Sequence, residues 1–190
     1  MEHPFIILSQ VARILEDEGI TYVVVGSVAS SLHGLYRTTG DIDIVAEITV
    51  QQIVPLVSAL QTDFYIDEQA IRRAVAGHRS FNALHFETVF KVDIFIPPPD
   101  SFSRQQLLRR RAEQLAPELT HKFYVATPED TVLGKLLWYR AGKEVSITQW
   151  NDVAGIIGTQ GAGLDIAYLK EWADRFNVRD LLDKVLDETL

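Results

Sequence analysis

Along its first half the chain switches between two spacings of apolar residues. From Pro4 to Asp17 they fall at Phe5, Leu8, Val11, Ile14 and Leu15. This is the spacing of a helix with one buried face, and Gly19 is a stop for it. Ile20 to Val25 is a β-branched run that predicts a buried strand. Gly26-Ser27 punctuates that strand, and Val28 to Leu35 predicts a short helix ending near Gly34. Asp41 to Ala46 then alternates polar and apolar, the period of a strand with one face buried.

Further on, the spacing predicts helices over Val50 to Leu60 (Pro55 notwithstanding) and Glu68 to Ala76. Strands are expected over Ser80 to Phe86 and Lys91 to Ile96, with Glu87 to Phe90 short enough to close a hairpin. Pro97-Pro98-Pro99-Asp100 is a hard stop. Ser101 to Arg111 reads as a helix and Phe123 to Ala126 as a last strand. From Thr127 every pattern is helical. Thr127-Pro128-Glu129-Asp130 combines a capping hydroxyl, a first-turn proline and acids near the positive end of the helix dipole. Further helices are expected over Thr148 to Ile157, Asp165 to Phe176 and Val178 to Leu186. The fold class is therefore α+β: a mixed part over residues 1–126, followed by a helical subdomain over residues 127–190.

Composition narrows the chemistry. The 190 residues are 47% hydrophobic, as in a packed domain, and contain no cysteine. Disulfides, thiolate zinc sites and cysteine nucleophiles are excluded. Met1 to Leu8 lacks the basic start of a signal peptide, and no apolar stretch approaches a membrane span. A soluble, cytoplasmic protein is the expectation. A net charge of −8 opposes broad binding to nucleic acid backbones.

Three acids then stand out. Asp41 and Asp43 lie two apart on one strand, so both carboxylates leave the same face, about 7 Å apart at the backbone. Ile42 and Ile44 point the other way. Aspartate is a poor strand former, so a pair on one strand asks for a reason; a solvated sheet surface is one such reason. Lys91-Val92-Asp93-Ile94 repeats the pattern. If the two strands are neighbours, Asp93 lies about 4.8 Å across the ladder. Two unit charges about 5 Å apart repel by roughly 3 kcal/mol at an effective dielectric near 20. Such a cluster asks for a cation, and oxygen-only ligands favour Mg2+ or Mn2+. Upstream, Gly26-Ser27 offers a tight turn, a hydroxyl and a helix start, which together suit a phosphate.

Glycine-serine, a gap of thirteen residues, an Asp-x-Asp strand and a later Asp-bearing strand resemble the DNA polymerase β-type nucleotidyltransferase superfamily. Gly26, Ser27, Asp41, Asp43 and Asp93 carry the resemblance, over roughly residues 20–96. The helical tail is similar to that of abortive-infection-type toxins and minimal nucleotidyltransferases, and more loosely to that of aminoglycoside nucleotidyltransferases. The resemblance implies that the three acids are catalytic and hold two divalent ions. It also implies that Ser27 and its loop hold terminal phosphates, and that a nucleoside monophosphate passes from an NTP, ATP included, to an acceptor hydroxyl. The acceptor is left open between protein, RNA and a small molecule. A toxin–antitoxin or defence setting is implied, with a partner protein or a homodimer as candidate assembly and no membrane partner. The competing readings are a nucleotide-binding regulatory or antitoxin module with little turnover, and an aminoglycoside-type resistance enzyme.

Arg37, in the loop before the acidic strand, is a candidate nucleotide-binding residue or a solvated loop arginine. Lys135 lies on the first tail helix with Tyr139 one turn on. In the toxin-like relatives a lysine in this helix contacts the nucleotide, so the resemblance implies a nucleotide-binding role for Lys135, the alternative being a snorkelling surface lysine. Asp152 is a candidate partner for that lysine. The arginine-rich segments Arg72, Arg73, His78, Arg79 and Arg104, Arg109, Arg110, Arg111 read first as solvated helix faces, the alternative being a groove for RNA or a phosphorylated acceptor. The histidines at 3, 33, 78, 85 and 121 show no metal-ligand spacing. Trp138, Trp150 and Trp172 fall at apolar helix positions expected to form the tail's core.

Overall fold

The computed structural model describes residues 4–99, 101–115 and 121–189. Met1, His3 and Asp100 lie outside the described residues. The described chain forms two compact units. One takes the chain up to Ser27 together with Thr39–Ala126; the other takes Val28–Thr38 and the chain from Thr127. The division is discontinuous, where the sequence pattern suggested one break before Thr127.

The first unit is built on a mixed sheet of seven described strands in the order β3-β4-β5-β2-β1-β7-β6. These are β1 (Thr21–Val25), β2 (Asp41–Glu47), β3 (Phe64–Tyr65), β4 (Ser80–His85), β5 (Lys91–Phe95), β6 (Arg111–Glu113) and β7 (Phe123–Val125). β2 runs antiparallel to β1 and parallel to β5, and β5 pairs antiparallel with β4. Helix α1 (Pro4–Asp17) packs on β1 and β2, and on α3 (Ile53–Leu60), which packs in turn on α4 (Glu68–Gly77). Val50–Gln52 forms a 3-10 turn ahead of α3, so Pro55 falls at the third position of the α-helix proper, where its missing N–H costs nothing.

Alternation decides the register. Ile42, Ile44, Val92 and Ile94 are all fully buried, while Asp41, Asp43 and Asp93 face the other side, only partly covered. Sliding β2 by one residue would exchange Ile42 and Ile44 for two carboxylates in the core. Each isoleucine withdrawn forfeits about 2–3 kcal/mol, and unpaired carboxylates in apolar surroundings add far more. The acids are thus held on the open face by the isoleucines between them.

Part of that face is covered within the first unit. Helix α5 (Phe102–Arg109) lays Leu107 over Val23, Val45 and Ala126, with Val25 and Phe95 packed alongside. Ser101 caps α5 through the backbone N–H of Arg104. The sequence pattern carried this helix to Arg111, but it ends at Arg109, and Arg111 opens β6, paired antiparallel with β7. β3 and β6 are short edge strands without an alternating pattern, formed because a neighbouring strand pairs with them.

The second unit comprises α6 (Pro128–Ala141), α7 (Ile147–Gln160), α8 (Ile166–Arg175) and α9 (Arg179–Thr189), joined by most of α2 (Gly26–His33). Thr127 caps α6 as expected, accepting from the Asp130 N–H at 3.2 Å. Glu129 and Asp130 are both buried. Glu129 accepts from the Asp165 N–H and Asp130 from the Tyr168 hydroxyl at 2.6 Å, which ties the head of α6 to that of α8. The core consists of aliphatic residues such as Val132, Leu133, Leu136, Val153, Ile156, Leu169 and Leu182. The expectation that the tryptophans fill it is corrected: Trp138 is 65% exposed. Trp150 and Trp172 are half-buried and pack at a tilt, Trp150 on Tyr139 and Trp172 on Tyr168 and Phe176. A tightly filled four-helix core has room for branched aliphatics and pushes indoles to its rim.

Candidate active site

The parallel pairing of β2 with β5 aligns Asp43 with Asp93 and Asp41 with Lys91. One carboxylate oxygen from each of Asp41, Asp43 and Asp93 can be chosen so that all lie within 4.8 Å of one another. The three acids that the sequence singled out therefore converge on one point of one sheet face. The same row continues on both sides: Val25 pairs with Asp43, and Asn82 with Asp93.

Gly26 follows Val25 and starts α2 with φ +64°. A Cβ placed there would come within 2.1 Å of Asp43 Oδ2. Two separate demands thus select glycine: the left-handed backbone that turns strand into helix, and the space the Asp43 carboxylate occupies. Ser27 is the next residue, so the glycine-serine turn and the acidic strand meet through this contact.

Two polar neighbours shape the acids. Thr39 donates its hydroxyl to the Asp41 backbone carbonyl at 2.8 Å and lies 3.4 Å from its Oδ1, which pins the entry to β2. Lys91 Nζ lies 2.5 Å from Asp93 Oδ2. The hydrogen bond to Asp93, followed by the charges of all three acids, holds its ammonium above the ordinary lysine range. Lys91, Asn82 and Thr39 were not singled out from sequence. Lys91 carried a signal, since it lies two residues before Asp93 and so on the same strand face. Asn82 became visible only through strand register.

The other two candidates lie in the second unit and meet at one carboxylate. Asp152 of α7 accepts from Lys135 Nζ at 2.7 Å and from Arg37 Nε and Nη2 at 3.0 Å. Lys135 is 5% exposed, so it is no snorkelling surface lysine. Its pairing with Asp152 is the one the sequence suggested. Tyr139, one turn on, turns instead to Trp150. Arg37 is no free loop arginine either: its guanidinium is committed to Asp152, and its backbone exchanges hydrogen bonds with Ser31. Burial pushes the Asp152 carboxyl up, but the hydrogen bonds and charges of Arg37 and Lys135 outweigh it and hold the group below the usual carboxylate range.

A divalent ion fits the acidic centre on its chemistry. The donors are all carboxylate oxygens, they converge from two adjacent strands, and the chain keeps a glycine where any side chain would displace Asp43. Among the described residues this is the one such cluster of acids and histidines.

No protein-family model matches the sequence, and no curated protein does. Solved structures do. An antigenic nucleotidyltransferase-like protein from Paracoccidioides brasiliensis aligns with a TM-score of 0.54 at 18% identity, over 93% of this chain and 88% of that one. The antibiotic-resistance factor ANT(2'')-Ia aligns in its solution structure with a TM-score of 0.55 at 9% identity, over 93% and 95% of the two chains. Its crystal structure with adenylyl-2''-tobramycin gives 0.54 at 11% identity, over 91% and 96%. The chain has the fold of the DNA polymerase β-type nucleotidyltransferases.

Proposed function

We propose that this protein transfers a nucleoside monophosphate from an NTP to an acceptor hydroxyl, with Asp41, Asp43 and Asp93 as the catalytic residues. The observation that carries the reading is the convergence of the three carboxylates beside the Gly26-Ser27 turn, in a nucleotidyltransferase fold. Asp41, Asp43 and Asp93 would hold Mg2+ or Mn2+. Bound there, such ions supply positive charge to the entering and leaving oxygens of an in-line displacement at phosphorus.

The chain's own residues do the rest. Asp93 would also help to take the proton of the acceptor hydroxyl, through the carboxylate oxygen that does not face the ion. Gly26 lets the backbone come close to phosphate, and the Ser27 hydroxyl at the head of α2 receives the terminal phosphates. In the helical unit, Asp152 holds two cations against one anion, a net positive group of the kind an anionic ligand takes. Arg37 and Lys135 are accordingly proposed as nucleotide-binding residues.

Among acceptors, a small hydroxylated molecule is the first to try, because ANT(2'')-Ia is bound to an adenylylated aminoglycoside in one of the matched structures. The net charge of −8 suits a polycationic acceptor of that kind. A toxin–antitoxin setting, with a protein or RNA acceptor, rests on the likeness of the helical tail to toxin-like relatives. The test is incubation of the purified chain with α-labelled NTPs, Mg2+ or Mn2+ and panels of aminoglycosides, RNAs and proteins. Label transfer that vanishes with EDTA and in Asp43→Asn supports the reading. Nucleotide binding without transfer to any panel favours the regulatory module instead.

A further inference from the structure

Lys91 forms an ion pair with Asp93 in the acidic centre, and it belongs to the same strand as Asp93. It lies directly across the ladder from Asp41 and two residues before Asp93, so its stem leaves the face that carries all three acids. Its side chain is 44% exposed and that of Asp93 only 18%. The lysine thus reaches in from solvent to an acid that is itself mostly covered. Nothing in the core requires a lysine at this position: Val92 and Ile94 bury the opposite face, and Leu84 is its other cross-strand neighbour.

We propose that Lys91 is a built-in counter-ion that competes with the divalent ion for Asp93. The inference rests on the metal-binding reading of the acidic centre given above. Three carboxylates that converge within 4.8 Å need positive charge whether or not an ion is present. Lys91 supplies one unit of it by occupying Asp93 Oδ2. An ion that binds through Asp93 must share that carboxylate with the ammonium or turn it out to solvent. The flexible four-carbon stem and the open position of Lys91 allow the second course. The consequence is a metal-free protein whose acids neither repel one another fully nor hold an ion tightly.

Titration of the protein with Mn2+ alone, followed by calorimetry at low ionic strength, tests this without turnover. Lys91→Met should tighten Mn2+ binding about tenfold, because a unit positive charge is removed from beside a divalent site. Lys91→Gln should do the same, and Lys91→Arg, which keeps the charge, should bind like wild type. Asp93→Asn in the Lys91→Met background should erase the gain. Thermal melts of each variant establish that it is folded. Unchanged or weaker Mn2+ binding in both folded neutral variants overturns the proposal, as does equal tightening in Lys91→Arg. If wild type binds Mn2+ no better than Asp43→Asn does, the metal reading itself fails and takes this inference with it.

Discussion

Gly26 and Asp43 are in such close contact that the glycine's missing side chain is part of the acidic centre. With φ +64° and a virtual Cβ 2.1 Å from Asp43 Oδ2, the position admits no other residue without moving the carboxylate. Gly26→Ala should therefore cost about 1–2 kcal/mol for the left-handed backbone and, separately, displace Asp43. Gly19 is the internal control: its φ is +63°, but nothing lies within 4 Å of a Cβ there. Gly19→Ala should lower the unfolding midpoint by a similar amount and leave nucleotide transfer unchanged, whereas Gly26→Ala should lose both. Urea melts and a labelled-nucleotide assay on the two variants check this.

Asp43→Asn should lower transfer by more than about 100-fold, since even residues that merely support metal ligands are worth 10- to 100-fold. The metal-free protein should be as stable as wild type or slightly more so, because one of three converging negative charges is gone. Retained transfer in a variant with a normal melt would remove Asp43 from the mechanism.

Asp152 offers a test of a different kind, because it is buried against two cations. Removing it as Asp152→Ala strands Lys135 and Arg37 and should cost about 3 kcal/mol at neutral pH. Adding Lys135→Met to that variant should recover part of the loss. Chemical denaturation of wild type and of the single and double variants measures both changes.

The same residue predicts a pH dependence. Its folded-state pKa is depressed, so its contribution is complete above the unfolded value of about 4. The contribution is lost as pH falls from there through the folded value. Urea midpoints followed downward from pH 5 should fall more steeply for wild type than for Asp152→Asn, which carries no titrating group at that position. Parallel acid limbs would show that Asp152 is not coupled to folding.

Gly34 tests the packing of the helical unit. A Cβ there would meet the backbone nitrogen of Ile156 in α7 at 2.8 Å, and a backbone cannot swing aside as a side chain can. Gly34→Ala should destabilise by about 1–3 kcal/mol, as overpacking does, and thermal melts measure it.

Much of this molecule was legible in the sequence, for a local reason. Alternation along Asp41–Ala46 and Lys91–Ile96 is a property of the strands themselves, so it told which residues are buried and that all three acids share a face type. The caps and the 3.6-residue spacing did the same for α1 and α6. Other features depend on what lies opposite. β3 and β6 exist because a neighbour pairs with them. Trp138 is exposed because smaller side chains had already filled the helical core. That Asp93 stands beside Asp43 rather than elsewhere in the sheet, that Lys91 bonds to it, that Asn82 joins its row, and that Arg37 and Lys135 share Asp152 are all decisions of tertiary structure. Each joins residues distant in sequence or chooses one rotamer among several, and strand order and packing, not periodicity, select between those alternatives.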